Sequence, residues 1–192
     1  AGNSAYAVTV LAQPAGPSQI CTVANGSGPG TGASVTNVAI NCATNTYPIN
    51  VLVTGMTGTG LVLSLNGSSN LTFNTNVVAS FATPVVSGGT YAVAPVTQPS
   101  SPANICTIAN ANGTVTSAAV TVNVTCVNNA FTVGGTITGL TGTGLQLVRP
   151  GAAVSVPANA TTFTFPGTVG TGTSYQVQVA ISPNSPAQIC AA

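Results

Sequence analysis

The chain has 192 residues, of which 44% are hydrophobic, and its single charged side chain is Arg149. This composition is not that of a disordered chain, and the length allows one large domain or two small ones. The absence of Asp, Glu, His and Lys removes the usual general acids and bases, the carboxylate ligands of calcium and magnesium, and the cationic surface that nucleic acid requires. We therefore expect no enzymatic activity, no metal site, no cofactor and no nucleic-acid partner.

The same composition bears on assembly and on membranes. A net charge of +1 leaves little repulsion between copies, so we expect self-association. Gly, Pro, Asn, Thr and Ser interrupt every apolar stretch, so no run of about 20 apolar residues could span a bilayer as a helix. The N-terminus has no basic region followed by an apolar core, and we interpret the chain as a mature or excerpted sequence.

The first predicted strands recur further along the chain. The stretch "AYAVTVLAQP" around Tyr6 returns as "TYAVAPVTQP" around Tyr91 and as "SYQVQVAISP" around Tyr175, at separations of 85 and 84 residues. The stretch "VTGMTGTGLVL" (53–63) returns as "ITGLTGTGLQL" (137–147), also 84 residues later. Agreement among several such anchors indicates an internal repeat of about 84 residues.

Each repeat is predicted to be all-β. Val120, Val122 and Val124 alternate with polar residues, which is the period of a half-buried strand. Asn-Gly pairs at 66–67 and 112–113 supply turns. About seven strands in roughly 84 residues is the size of an immunoglobulin-like β-sandwich. We therefore predict tandem immunoglobulin-like β-sandwich repeats of about 84 residues.

The repeat divides the chain unevenly. With Tyr47 and Phe131 as equivalent starting points, residues 1–46 form the C-terminal half of a repeat, 47–130 a complete repeat, and 131–192 the N-terminal part of a third. Half a sandwich leaves a sheet edge and an apolar face exposed. Two interpretations stay open: an excerpt of a longer chain, or a subunit that its neighbour completes.

The five cysteines follow the same period. Cys21 and Cys42 are 21 positions apart, and Cys106 and Cys126 are 20 apart. We predict two disulfides, each worth about 3 kcal/mol, with buried free thiols as the alternative. Regular disulfides imply an oxidising compartment, outside the cell or in a periplasm. Cys190 occupies the place of a first cysteine and is predicted to be unpaired within the chain, its partner being expected about 20 residues beyond it.

Several weaker motifs have ordinary explanations. The stretch "GSGPGTG" (26–32) resembles a phosphate-binding loop, but no Lys follows it, so we predict a flexible hairpin loop. The "TGTG" stretches at 57–60 and 141–144 are expected to shape the connection between the first two strands of a repeat. Arg149 is expected at a strand end, with its head either in solvent or on the carbonyl groups of a neighbouring repeat.

Three stretches carry a resemblance to a known class of protein. They are "FTVGGTITGLTGTGLQL" (131–147), "YAVTVLAQPAG" (6–16) and "CTVANGSGPGTGASVTNVAINC" (21–42). Together they resemble the tandem repeats of large secreted or surface-exposed bacterial proteins, often lipoprotein-like. The resemblance covers essentially the whole chain and implies a bacterial extracellular location with β-sandwich units in series. Its motifs are turn and strand patterns, so it implies no ligand or chemistry.

These observations favour a structural extracellular protein: a repeat segment of a bacterial surface fibre, filament or stalk, built from serial, self-associating units. Short connectors at 43–46 and 127–130 are expected to fix the angle between units. The alternative is an adhesin or carbohydrate-binding module that contacts a glycan through loop 25–33 or through Tyr and Thr faces. Three of the four Tyr residues are at apparent inward positions, which weakens that alternative.

Overall fold

The N-terminal part of the chain forms a disulfide-linked hairpin. The computed structural model describes residues 4–192, and all the regular secondary structure in that range is β, which confirms the predicted all-β class. The first strands are β1 (Tyr6–Ala7), β2 (Gln19–Ala24), β3 (Ser27–Gly28) and β4 (Ala39–Thr44). Strands β2 and β4 pair antiparallel over six residues, and β1 pairs with β3 over two. We call β2 and β4 the N-terminal hairpin.

Residues 47–130, the central unit, contain two four-stranded sheets. The strands from the preceding connector onward are β5 (Thr46–Tyr47), β6 (Ile49–Thr54), β7 (Leu61–Leu65), β8 (Ser69–Phe73), β9 (Val78–Ser80), β10 (Val85–Val86), β11 (Thr90–Thr97), β12 (Asn104–Ala109), β13 (Asn112–Thr114) and β14 (Val120–Asn128). One sheet has the order β8-β7-β11-β13 and the other β9-β6-β14-β12, while β5 pairs with β10. Because two-residue and three-residue pairs add strands that periodicity does not detect, the unit has more strands than the seven predicted.

The core of the central unit lies between the two sheets. Alternating residues of β6 and β14 point inward, and Val51, Val53, Val122 and Val124 are almost completely buried. Leu61 and Leu63 of β7 face them from the other sheet and belong to the same hydrophobic cluster. Strands β6 and β14 pair in parallel although about 70 residues separate them. The two facing sheets form a β-sandwich, and in one of them the first and last long strands of the unit, β6 and β14, are neighbours.

Residues 131–192, the C-terminal unit, contain equivalents of the earlier strands only. The strands here, with that of the connector, are β15 (Ala130–Phe131), β16 (Gly134–Thr136), β17 (Leu145–Arg149), β18 (Ala152–Val156), β19 (Thr162–Thr164), β20 (Val169–Gly170) and β21 (Gln178–Ile181). Strand β17 lies between β18 and β21, as β7 lies between β8 and β11. Strand β16 pairs only with β19, so among the described residues no strand occupies the place beside β16 that β14 occupies beside β6.

Within residues 4–192 we find no helix with the length and hydropathy needed to cross a membrane.

Candidate assembly sites: hairpin braces, amide clamps and unit junctions

In each of the first two units, a disulfide links the two strands of one hairpin. Cys21 is bonded to Cys42 and Cys106 to Cys126, the pairs that the spacing predicts, and each pair lies directly opposite in its hairpin. Cys190 is unpaired and half-buried against the core of the C-terminal unit. Two disulfides favour an oxidising environment of the kind found outside the cell.

A glutamine braces each disulfide from one side. The backbone N–H of Cys21 donates to Oε1 of Gln13 (2.7 Å), and Nε2 of Gln13 donates back to the carbonyl of Cys21 (3.1 Å). Gln98 makes the same two bonds with Cys106, at 2.8 and 3.2 Å. Sequence analysis missed this brace, although each glutamine stands eight residues before its cysteine in a "QP" pair.

The "TGTG" loops are held by a side-chain amide, which sequence analysis also missed. Oδ1 of the buried Asn104 accepts hydrogen bonds from the backbone N–H groups of Thr57 (3.1 Å) and Gly58 (2.8 Å). In the C-terminal unit, Oε1 of Gln188 accepts from Thr141 (2.8 Å) and Gly142 (2.7 Å). We call this arrangement the amide clamp. It fixes the connection between the first two long strands of a unit, the position that the sequence assigns to these loops.

The N-terminal hairpin contains only the amide half of a clamp, at Gln19, which we call the half amide clamp. Gln19 stands 85 residues before Asn104, and its Nε2 donates to Oγ1 of Thr44 (3.1 Å), as Nδ2 of Asn104 donates to Oδ1 of Asn128 (2.6 Å). Within residues 4–192, Oε1 of Gln19 has no loop to bind, because both "TGTG" loops already hold another amide. Gln19 is half-buried and retains this unused acceptor.

The junctions between units repeat one hydrogen-bond pattern. At the first junction, the N–H of Asn45 donates to the carbonyl of Ser18 (2.9 Å), and the carbonyl of Asn45 accepts from the N–H of Ser87 (2.8 Å). We call these three residues junction 1.

Junction 2 comprises Ala103, Asn129 and Thr171. There the N–H of Asn129 donates to the carbonyl of Ala103 (3.1 Å), and its carbonyl accepts from the N–H of Thr171 (2.6 Å). The same bonds therefore tie each connector to the unit before it and to the unit after it.

The two junctions differ in their side chains. In junction 1, Ser18 accepts from Nδ2 of Asn45 (2.7 Å) and shares a hydrogen bond with the hydroxyl of Tyr47 (3.1 Å). Its N–H also donates to Oγ of Ser87 (2.8 Å). In junction 2, Ala103 lacks a hydroxyl group, and Oδ1 of Asn129 is buried without a hydrogen-bond partner. Junction 1 is thus the better satisfied of the two.

An apolar groove opens beside β16. The cavity there has a volume of about 470 Å³ and is lined by Ile137, Leu145, Leu147, Val179 and Cys190, among others. In the central unit the equivalent space is filled by the inward side chains of β14. We call this groove with the free side of β16 the open edge.

Arg149 contacts its own unit. Its Nη1 and Nη2 donate to the carbonyls of Pro150 (3.1 Å) and Pro166 (3.0 Å), and the guanidinium lies 5.5 Å from the ring centre of Phe165. Of the two alternatives that the sequence leaves for Arg149, the contact with a neighbouring repeat is therefore not formed within the described residues. The guanidinium instead stays at the strand end and packs on the ring.

The tyrosines are less uniformly inward than the sequence indicates. Tyr91 is buried and Tyr6 is half-buried, each with its ring against a glycine, Gly113 and Gly28 respectively. Tyr175 is exposed, because no equivalent of β13 lies beside it within the described residues. Among residues 4–192 no group of three or more His, Cys, Asp or Glu side chains could hold a metal ion.

Comparison with known proteins yields no relative. No protein-family model, curated protein or solved structure matches the chain. The functional conclusion therefore depends on the geometry of the junctions, the clamps and the open edge.

Proposed function

We propose that this chain is a structural extracellular protein, a repeat segment of a bacterial surface fibre, filament or stalk. Its units are immunoglobulin-like β-sandwiches joined in series and able to self-associate. The observation that carries the proposal is the recurrence of one backbone hydrogen-bond pattern at both junctions, centred on Asn45 and Asn129. A connector that is bonded to both of its neighbours fixes their relative orientation, whereas a flexible linker would not.

Repetition of a fixed junction generates a regular rod. When each unit is related to the next by the same rotation and translation, the series is straight or helical and keeps a constant spacing. Apolar packing supports the hydrogen bonds, since Pro17 lies beside Gly88 and Pro102 beside Gly172. These two glycines have φ values of +83° and +82°, which residues with a side chain rarely adopt. The contact therefore depends on glycine at both positions.

The surface chemistry agrees with a mechanical role. The disulfides close the hairpins covalently, and each would hold its two strands together under load. With Arg149 as the only charged side chain, contacts between chains are made by Thr, Val, Asn and Ser faces, and salt would scarcely weaken them. The sequence also supplies no general base to activate its Ser, Thr or Cys nucleophiles.

A second candidate function is carbohydrate binding by an adhesin. The observation in its favour is a shallow cavity of about 390 Å³ lined by Arg149, Thr168, Thr173 and the exposed Tyr175, among others. An exposed aromatic ring beside hydroxyl groups can pack on a sugar face. The fibre role remains the main proposal because the junction pattern occurs twice and this cavity once among the described residues.

Small-angle X-ray scattering of dilute protein tests the fibre proposal. Insertion of two glycines after Asn129 should free the C-terminal unit from the connector, because the chain no longer holds the Thr171 N–H against the Asn129 carbonyl. The distribution of interatomic distances should broaden and the flexibility of the particle should increase. The same insertion after Gly32, in the loop between β3 and β4, is the matched control and should leave the distribution unchanged. If the unmodified chain is already as flexible as the junction insertion, the fibre proposal is wrong. Saturable binding on a glycan array that Tyr175→Ala abolishes would support the adhesin instead.

A further inference from the structure

We propose that the open edge of one copy binds the N-terminal hairpin of a second copy, so that copies join head to tail by strand exchange. This inference rests on the proposed structural role and names the partner surface that self-association would use. The central unit is its template, because there the same chain shows an equivalent hairpin, β12–β14, packed against an equivalent edge, β6.

The template fixes the register of the new strand pair. In the central unit, Val122 lies opposite Val51 and Val124 opposite Val53 in a parallel pairing. The residues 84 positions before Val122 and Val124 are Val38 and Ile40. Those 84 positions after Val51 and Val53 are Gly135 and Ile137. In the proposed pair, β4 of the second copy lengthens to include Val38 and β16 lengthens to include Ile137. The two strands are then parallel, with Val38 opposite Gly135 and Ile40 opposite Ile137. The contact continues an interface that the central unit already contains.

Both surfaces expose the apolar groups that this pairing would bury. Ile40 is 60% exposed in the hairpin, whereas Val124 at the equivalent position is 0% exposed. The open edge offers the cavity of about 470 Å³ between Ile137, Leu145 and Leu147 for this side chain and for Val38. Burial of apolar surface on both sides supplies the driving force.

The half amide clamp supplies a second, independent observation. Gln19 of the incoming hairpin occupies the place of Gln188, so its free Oε1 can accept the N–H groups of Thr141 and Gly142. One glutamine replaces another as the acceptor of these two N–H groups, and the second N–H of Nε2 in Gln19 can take over the bond that Nε2 of Gln188 donates to the carbonyl of Gly139 (2.8 Å). The exchange is therefore nearly balanced in polar contacts, and the burial of Ile40 favours the joined state.

Two overlapping segments leave their places when the hairpin docks. The composite unit takes residues 131–182 from one copy and 13–46 from the other, which releases residues 183–192 of the first and 4–12 of the second. These segments include the fully exposed Ile189 and Leu11, and β1 is paired over two residues only. In the central unit Ser100 makes the equivalent backbone bridge with Thr59. Ala15 is 85 positions before Ser100, so it is positioned to take over the bridge with Thr143 that Ser185 makes.

The geometry of the joined state is open-ended. The docked hairpin stays bonded to its own central unit by junction 1, so the composite unit is followed by a complete one. When two copies join, the copy that uses its open edge still has a free hairpin, and the copy that uses its hairpin still has a free open edge. A head-to-tail contact of this kind, in which different surfaces meet, builds linear chains unless the rotation closes a ring.

The test compares two isoleucines of one hairpin. Ile40 is on the face that would dock, whereas Ile20 is 56% exposed on the opposite face, where its equivalent Ile105 remains 51% exposed in the closed central unit. All variants carry Cys190→Ser to prevent disulfide-linked oligomers. We expect light scattering to show a mass that rises with concentration for the parent and for Ile20→Asn. Ile40→Asn should remain monomeric at concentrations at least tenfold above the parent's midpoint of assembly.

A mixing experiment defines the polarity of the contact. Ile137→Asn damages the open edge and leaves the hairpin intact, so it should also be monomeric alone. An equimolar mixture of Ile40→Asn and Ile137→Asn should form dimers and nothing larger, because one intact edge meets one intact hairpin. A monomeric parent, or assembly of Ile40→Asn equal to that of the parent, would overturn strand exchange. Neither result affects the scattering test of the junctions, which uses dilute monomer and decides the fibre proposal separately.

Discussion

The central and C-terminal units contain the same early strands but differ in closure. In the central unit, the last hairpin places β14 beside β6 and β12 beside β14, and Val51 and Val53 become fully buried. In the C-terminal unit, the equivalents Gly135 and Ile137 are exposed and half-buried. One cluster of buried residues covers most strands of the central unit, whereas that of the C-terminal unit is much smaller. The last strand of a unit therefore completes the core begun by its first.

The N-terminal hairpin shows the other side of this comparison. Like β12–β14, it has a disulfide and a glutamine brace, and it has half of an amide clamp. Its inner face, however, has no second sheet to cover. Local bonds thus form the hairpin, and burial occurs only when a matching edge is present. Because the β6–β14 pairing joins residues about 70 positions apart, a unit closes late along the chain.

The largest expected effect separates the two disulfides. Replacement of Cys106 and Cys126 by Ala should lower the free energy of unfolding of the central unit by about 3 kcal/mol, because the crosslink closes the hairpin that seals its core. Replacement of Cys21 and Cys42 is the matched control and should leave that unit unchanged. Hydrogen exchange of peptides from β6 and β14 in urea measures both. Equal effects of the two replacements would mean that the N-terminal hairpin supports the central core.

A smaller effect is expected at equivalent positions of the two hairpins. Val124→Ala removes fully buried methyl groups and should destabilise the central unit by about 2 kcal/mol. Ile40→Ala changes a side chain that is exposed in the monomer and should shift stability by less than about 0.5 kcal/mol. Urea unfolding of dilute protein, followed by circular dichroism, compares them. A comparable loss for Ile40→Ala at that concentration would show that the hairpin packs within its own chain.

The sequence predicts the features that depend on regular spacing. Alternation in β14 and the repeated "TGTG" and cysteine positions lead to the all-β class and to the pairs Cys21–Cys42 and Cys106–Cys126. The parallel β6–β14 pairing was not predictable, because nothing local marks which distant strands become neighbours. Short strands such as β5 and β10 lack enough residues to show a period.

The candidate sites were less predictable than the fold. The amide clamp uses Asn104 in one unit and Gln188 in the next, so different residue types perform one role and no motif is visible. Arg149 donates to the carbonyl of the next residue, Pro150, and to that of Pro166, which comes close only after folding. The junctions depend on backbone groups of Asn45 and Asn129, and backbone hydrogen bonds leave little trace in side-chain patterns.

The smallest expected effect would make the two junctions alike. Ala103→Ser introduces a hydroxyl group at the position that Ser18 occupies in junction 1. At junction 1 this hydroxyl accepts from Nδ2 of Asn45, whereas at junction 2 its O–H can donate to the buried Oδ1 of Asn129, the atom that lacks a partner. A satisfied hydrogen bond is worth about 1 kcal/mol, so amide exchange in peptides covering Thr171 should slow about fivefold. Ser18→Ala is the reverse control and should accelerate exchange around Ser87 by a similar factor. If Ala103→Ser leaves exchange unchanged while Ser18→Ala accelerates it, the side chains of the two connectors are not equivalent. The shared pattern would then reside in the backbone alone, because the N–H and carbonyl groups of Asn129 are already bonded without the hydroxyl.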